Sequence, residues 1–107
     1  MEIEVADDSF QREVIERSND IPVLVDFWAG WCGPCMMLKP VLEKIVKDYG
    51  DRLILAKVDV QENQKVANEY GVMSIPSVKL FKNGKVVDEF VGVQPEGKIR
   101  EWINESL

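Results

Sequence analysis

Ile21-Pro22-Val23-Leu24-Val25-Asp26-Phe27-Trp28 leads through Ala29-Gly30 into Trp31-Cys32-Gly33-Pro34-Cys35. The first part is a nearly continuous apolar run, the pattern of a strand covered on both faces. The residues after Cys35 have a helical period: Leu38, Val41, Leu42, Ile45 and Tyr49 recur at steps of three and four. The two cysteines of the chain therefore sit where a buried strand hands over to a helix N-terminus. Unpaired N–H groups and the positive end of the macrodipole lie there. A thiolate in that place is stabilised, so the thiol pKa falls and reactivity at neutral pH rises.

The spacing gives the two sulfurs different positions. Cys32 lies at the cap and is expected to be partly exposed. Cys35 lies one turn further in and is expected to be more buried. Gly33 permits a tight backbone path, and Pro34 suits an early helical position. The pair reads as a dithiol that cycles, with an outer attacking sulfur and an inner resolving one. Three plainer readings compete. A structural disulfide would close a very short loop, where chain entropy stabilises least. A zinc site wants four Cys or His ligands, and the chain has two Cys and no His. Chance placement is the third. The strand-to-helix context favours redox chemistry.

The segment Val25-Asp26-Phe27-Trp28-Ala29-Gly30-Trp31-Cys32-Gly33-Pro34-Cys35 resembles the active-site segment of the thioredoxin family, itself the standard example of a lowered cysteine pKa in this motif. The likeness covers nearly the whole chain. It implies the thioredoxin fold, an α/β architecture with a central five-stranded mixed β-sheet flanked by four α-helices, as a single domain over residues 1–107. Residue patterns along the chain agree with that order. Residues 2–7 alternate as a weak strand, and Asp8 with Gln11 resembles a capping box before a helix over about 9–18. Ser18-Asn19-Asp20 is a turn. A strand over 22–28 precedes a helix over 34–49 that contains Pro40. Two separate helices are the alternative there; the resemblance implies one bent helix ended by Gly50. A strand at 53–58 precedes a short helix, with Asp59 and Glu62 as its capping box and Gly71 as its stop. An apolar loop over 72–76 leads to strands at 77–82 and 85–91 around Asn83-Gly84, a strong hairpin signal. Gly92 breaks the last strand, and Pro95 opens a final helix with Ile99, Trp102 and Ile103 on its buried side.

Asp26 is a carboxylate inside an apolar strand. Burial disfavours its charged form and raises its pKa, which suits proton exchange near neutral pH. The resemblance implies that it lies beneath Cys35 as that sulfur's proton acceptor, with Lys57 nearby on the adjacent strand. Read without the resemblance, Lys57 is an ordinary strand-end lysine. Ile75–Pro76 reads as an ordinary trans bond. The resemblance instead implies a cis proline facing the sulfurs and presenting the Ile75 backbone to an extended client segment. Trp31, Gly33, Pro34, Ile75, Pro76 and Gly92 match the family's docking surface. Core packing is the plainer reading for Trp31 and Ile75, and a turn for Gly92. Trp28 is expected to pack beside the site. Two residues depart from the family pattern. Lys79 occupies a strand expected to be apolar and is expected to reach an edge or meet Asp88 or Glu89. Trp102 is larger than expected for a core position in the last helix.

The composition bounds the partners. With 13 basic and 19 acidic residues the net charge is −6, which argues against nucleic acid and anionic membranes. The longest apolar run is interrupted by Asp26 and is too short to span a bilayer. Met1-Glu2-Ile3-Glu4 lacks the features of a secretory signal, and two cysteines without one fit a reducing compartment, here the cytoplasm. The resulting expectation is a monomeric general protein disulfide reductase. It would act on disulfide-containing client proteins, be restored by a separate thioredoxin reductase, and bind no cofactor or metal. Gly33-Pro34 between the sulfurs favours a reductant over an oxidising or isomerising relative. The rival from another class is a binding module or subunit of the same fold without redox turnover.

Overall fold

In the computed structural model, which describes residues 1–107, the apolar run becomes β2 (Val23–Trp28), the middle strand of a five-stranded sheet. The other strands are β1 (Glu2–Glu4), β3 (Ile54–Asp59), β4 (Ser77–Lys82) and β5 (Lys85–Val91), in the spatial order β1-β3-β2-β4-β5. The pairs β1/β3 and β3/β2 are parallel; β2/β4 and β4/β5 are antiparallel. Alternate residues of β2 enter different cores, which is why the run needs no polar alternation. Val23, Val25 and Phe27 pack in a cluster with Phe10, Val14 and Phe81. Leu24 packs in another with Leu38, Leu42, Ile99 and Ile103. Those last four residues come from α1 (Gly33–Tyr49) and α3 (Glu96–Ser106).

α1 is one helix running through Pro40, and it stops at Gly50, whose φ of 63° with ψ of −127° is a backbone conformation open to glycine and costly for other residues. The Asn83-Gly84 signal is realised as a two-residue connection between β4 and β5. Both residues have positive φ, 53° and 79°, as a turn matching strand twist requires. The hairpin tip is tied to the Ser18 turn: Asn83 N–H donates to the Ser18 carbonyl and Gly84 N–H to Ser18 Oγ, each at 2.8 Å.

Several local expectations are corrected. β1 ends at Glu4 rather than residue 7. The first helical segment is a π-helical stretch, Gln11–Glu16, followed by a 3₁₀ turn, Arg17–Asn19; Asp8 and Gln11 form no capping box, and no side chain caps its start. Asp59 and Glu62 do not cap α2 (Gln64–Glu69) either. Asp59 closes its own turn by accepting from Gln61 N–H. The α2 donor is met from across the fold, by Val66 N–H donating 2.8 Å to Asp7 Oδ1. Asp7 is held in turn, its N–H donating to Asn63 Oδ1 at 2.9 Å. A capping box needs only local spacing, but a remote carboxylate delivered by packing supplies the same bond and displaces it. Lys79 pairs with Glu89 at 2.8 Å, directly opposite in the β4/β5 register. Trp102 is only half-buried and packs edge-on against Phe90, ring centres 5.1 Å apart. No helix is long and apolar enough to cross a membrane.

Candidate redox site

The backbone at the start of α1 builds the site. Cys32 is extended (φ −91°, ψ 106°) and caps the helix; Gly33 and Pro34 are its first residues. The Cys35 N–H donates to Cys32 Sγ at 3.2 Å. The donor is a free helix-start N–H, placed to stabilise this sulfur when it is a thiolate. Cys32 and Cys35 are joined as a disulfide, their Cα atoms 5.2 Å apart.

Exposure corrects one expectation. Cys32 is not partly exposed: only 5% of its surface reaches solvent, against 1% for Cys35. The order of the two sulfurs holds, but both are covered. Trp28, Val60 and Ile75 pack against them. Cys32 Sγ lies 3.8 Å from the Ile75 carbonyl oxygen. Ala29 and Val60 belong to this cover and were not legible in the sequence, since nothing in their spacing marks them.

The Ile75–Pro76 bond is cis. Gly92 N–H donates to the Pro76 carbonyl at 2.8 Å, which brings the end of β5 beside the loop. Gly92 has φ 87°, and a Cβ there would meet nothing within 4 Å, so backbone conformation rather than space calls for glycine. Trp31 is 67% exposed, which excludes core packing for it. Ile75 is half-buried against the disulfide. Gly33 and Pro34 are exposed beside the sulfurs.

Asp26 lies on the inner side. It is 2% exposed, and its Oδ1 has no hydrogen-bond partner. A cavity of about 50 Å³ is lined by Asp26 and Cys35 together with Glu4, Trp28, Met36, Lys39 and Lys57. That volume admits water. Burial pushes the Asp26 carboxyl up to about 7; the Lys57 ammonium pulls it down, and the Glu43 carboxylate adds to the rise. Lys57 stands opposite Asp26 in the β2/β3 register, as expected. Its ammonium, however, is bound elsewhere: Nζ lies 3.0 Å from Glu2 Oε1 and 3.0 Å from Glu43 Oε2. Sequence reading missed both acids. Glu2 looks like a strand-edge carboxylate and Glu43 like a polar helix position, and only packing brings them to one lysine.

The arrangement can carry thiol–disulfide exchange. It has a sulfur stabilised at a helix start, a second sulfur one turn inward, and a buried carboxyl titrating near neutrality that shares a cavity with the inner sulfur. Known proteins give the same answer. The family model for thioredoxin matches residues 2–105. A thioredoxin of Rickettsia prowazekii is 47% identical over 103 residues, 96% of each chain. A thioredoxin of Chlorobaculum thiosulfatiphilum is 48% identical over 104 residues, 97% of this chain and 94% of that one. A thioredoxin of Bacillus subtilis is 46% identical over 105 residues, 98% and 97% of the two chains.

Proposed function

This chain belongs to the thioredoxin family, and from that premise we propose that it works as a general protein disulfide reductase. The Cys32 thiolate attacks one sulfur of a client disulfide. That S–S bond breaks, and its electron pair leaves on the other client sulfur, which takes a proton from solvent. A mixed disulfide now joins Cys32 to the client. Cys35 passes its proton to Asp26 through the cavity they share, and the new thiolate attacks Cys32 Sγ. The Cys32–client bond breaks and the second client sulfur leaves as thiolate. The client has gained two electrons and the chain carries the Cys32–Cys35 disulfide, the state seen in the structure. A separate thioredoxin reductase returns two electrons and two protons. No bound cofactor takes part.

Client docking falls to the surface around the sulfurs. Exposed Trp31, Gly33 and Pro34 and part-exposed Gly92 offer it, buried Pro76 sets the Ile75 backbone beside it, and the Ile75 carbonyl next to Cys32 receives an extended client backbone. Lys57 adjusts the charge felt by Asp26. The working place is the cytoplasm, and the working form a monomer.

The observation that carries this reading is the Cys35 N–H donating to Cys32 Sγ, on a pair whose inner member shares a cavity with Asp26. Insulin reduction with dithiothreitol as donor tests it. The chain should accelerate precipitation of the insulin B chain, and Cys35→Ser should instead accumulate a mixed disulfide. No acceleration by the wild-type chain would reject the reductase and leave a binding module.

A further inference from the structure

The acids around Lys57 have no part in the exchange chemistry itself, yet they bind the cation that stands opposite its proton acceptor in the β2/β3 register. Asp26 is faced from several elements. β1 brings Glu2 and Glu4 to this side, β3 brings Lys57, and α1 brings Cys35, Lys39 and Glu43. From β4 its register partner is Val78, which carries no charge. The Lys57 side chain is mostly buried and its Nζ is 3.0 Å from a carboxylate oxygen of both Glu2 and Glu43. The three groups together carry one net negative charge.

We propose that Glu2 and Glu43 are positioning residues for proton transfer, holding the Lys57 ammonium in a bidentate ion triad and so keeping it from pairing with Asp26. The inference deepens the reductase reading and rests on it for the role of Asp26. A lysine opposite a buried aspartate on a neighbouring strand is placed to form an ion pair with it. Such a pair lowers the acid's pKa and removes its ability to accept a proton near neutrality. Here Asp26 Oδ1 stays unpartnered while Lys57 is held by the two glutamates. Burial alone lowers the pKa of the Lys57 ammonium, but the bonds to Glu2 and Glu43 outweigh it and hold the group above its ordinary value. The lysine therefore remains a cation bonded to its own partners: it still pulls the Asp26 carboxyl down, and Glu43 opposes that pull.

The position of these acids also links an edge of the sheet to the site. Glu2 belongs to β1, a three-residue edge strand. Glu43 stands on the third turn of α1, the helix that starts at the sulfurs. Both are partly exposed, so replacing either leaves the two main cores untouched.

The test is a titration of the Asp26 carboxyl by ¹³C NMR in the full oxidised chain, comparing wild type with Glu43→Gln, Glu2→Gln and the double variant. Each is repeated in a Lys57→Met background. With Lys57 intact, the Asp26 midpoint should fall by roughly half a unit to one unit in Glu43→Gln, less in Glu2→Gln, and most in the double variant. In Lys57→Met, the same glutamate changes should produce less than half of those shifts. Glu43→Asp should restore most of the wild-type midpoint. An unchanged midpoint with Lys57 present would overturn the proposal. Equal shifts in the two backgrounds would overturn it as well, because the glutamates would then act on Asp26 directly. The titration needs no client. If insulin reduction fails while the midpoints move as stated, the triad stands and the reductase reading falls. If the chain reduces insulin, the acid limb of the mixed-disulfide resolution rate should move to lower pH with the midpoint.

Discussion

Two neighbouring strands each bury a charged residue, and they treat it in opposite ways. On β2, Asp26 is 2% exposed and one of its oxygens has no partner. On β4, Lys79 is 6% exposed and is bonded at 2.8 Å to Glu89 across the β4/β5 ladder. Burial penalises both charges. At Lys79 the opposing carboxylate compensates that penalty, and the group is settled as a structural ion pair. At Asp26 no ion pair does so: Oδ1 is unpartnered, and the nearby lysine, which pulls the carboxyl down only through space, is bonded to Glu2 and Glu43. The penalty appears instead as a carboxyl raised to about 7, in a cavity that it shares with Cys35. An uncompensated buried group next to a reactive sulfur marks chemistry. A compensated one a strand away marks architecture.

The largest effect expected from this contrast is at Asp26. Its folded pKa of about 7 lies above the ordinary value of about 3.9, so between those two values the native state holds more protons than the unfolded chain. Stability from this group is fully present below the unfolded value and is lost as pH rises through the folded one. The gap between the two values corresponds to about 4 kcal/mol. Asp26→Asn should remove that pH dependence. Denaturant unfolding should find it more stable than wild type at pH 8, by a margin approaching that figure, and little different at pH 4. Resolution of the mixed disulfide should slow in the same variant. Equal stabilities at pH 8 would mean that Asp26 is compensated after all, and the contrast with Lys79 would collapse.

Breaking the settled pair should cost less. Glu89→Gln leaves the Lys79 ammonium buried without an opposite charge. Removing one partner of a fully buried pair costs about 3–5 kcal/mol. Glu89 is half exposed, so water can reach the pair, and about 1–2 kcal/mol is expected here. Lys79→Met, which removes the charge itself, should be close to neutral. Both are read by chemical denaturation at constant pH, and neither should change the rate of insulin reduction. A loss of activity in Lys79→Met without loss of stability would show that the ion pair serves the site.

The smallest effect is expected at a third carboxylate, Asp7, which is matched to a backbone donor rather than to a charge. Asp7→Ala removes the acceptor for Val66 N–H and should cost about 1 kcal/mol, the usual size of a lost helix cap. Hydrogen exchange should show the first turn of α2 opening faster, with α1 unchanged. If the loss were as large as at Glu89, α2 would depend on Asp7 for more than one bond.

Much of the fold was legible because its signals are local. The period of Leu38, Leu42 and Ile45 marks a helix face whatever lies against it. Asn83-Gly84 makes a turn from the conformational freedom of two residues. The unbroken apolar run of Val23–Trp28 requires cover on both faces and so a central strand. The local capping boxes at Asp8 and Asp59 failed for a related reason. Spacing allows such a box but does not compel it, and a bond from a remote residue can replace it, as Asp7 does at α2. The expectation of an exposed Cys32 failed because the cover comes from Val60 and Ile75, residues far from it in sequence.

From its own residues the sequence determined that two thiols lie at a strand-to-helix junction and that a carboxylate lies inside the strand leading to it. Those facts come from chain order, period and helix-end chemistry, which are short-range. The resemblance to a family added the cis bond at Pro76 and the nearness of Lys57 to Asp26. Tertiary structure decided which charges meet. Of the two acids the hairpin offered Lys79 it chose Glu89, and it alone brought Asp7 to the start of α2 and Lys57 to Glu2 and Glu43. A charged side chain selects its partner by distance and desolvation in the packed state, and sequence separation enters neither quantity.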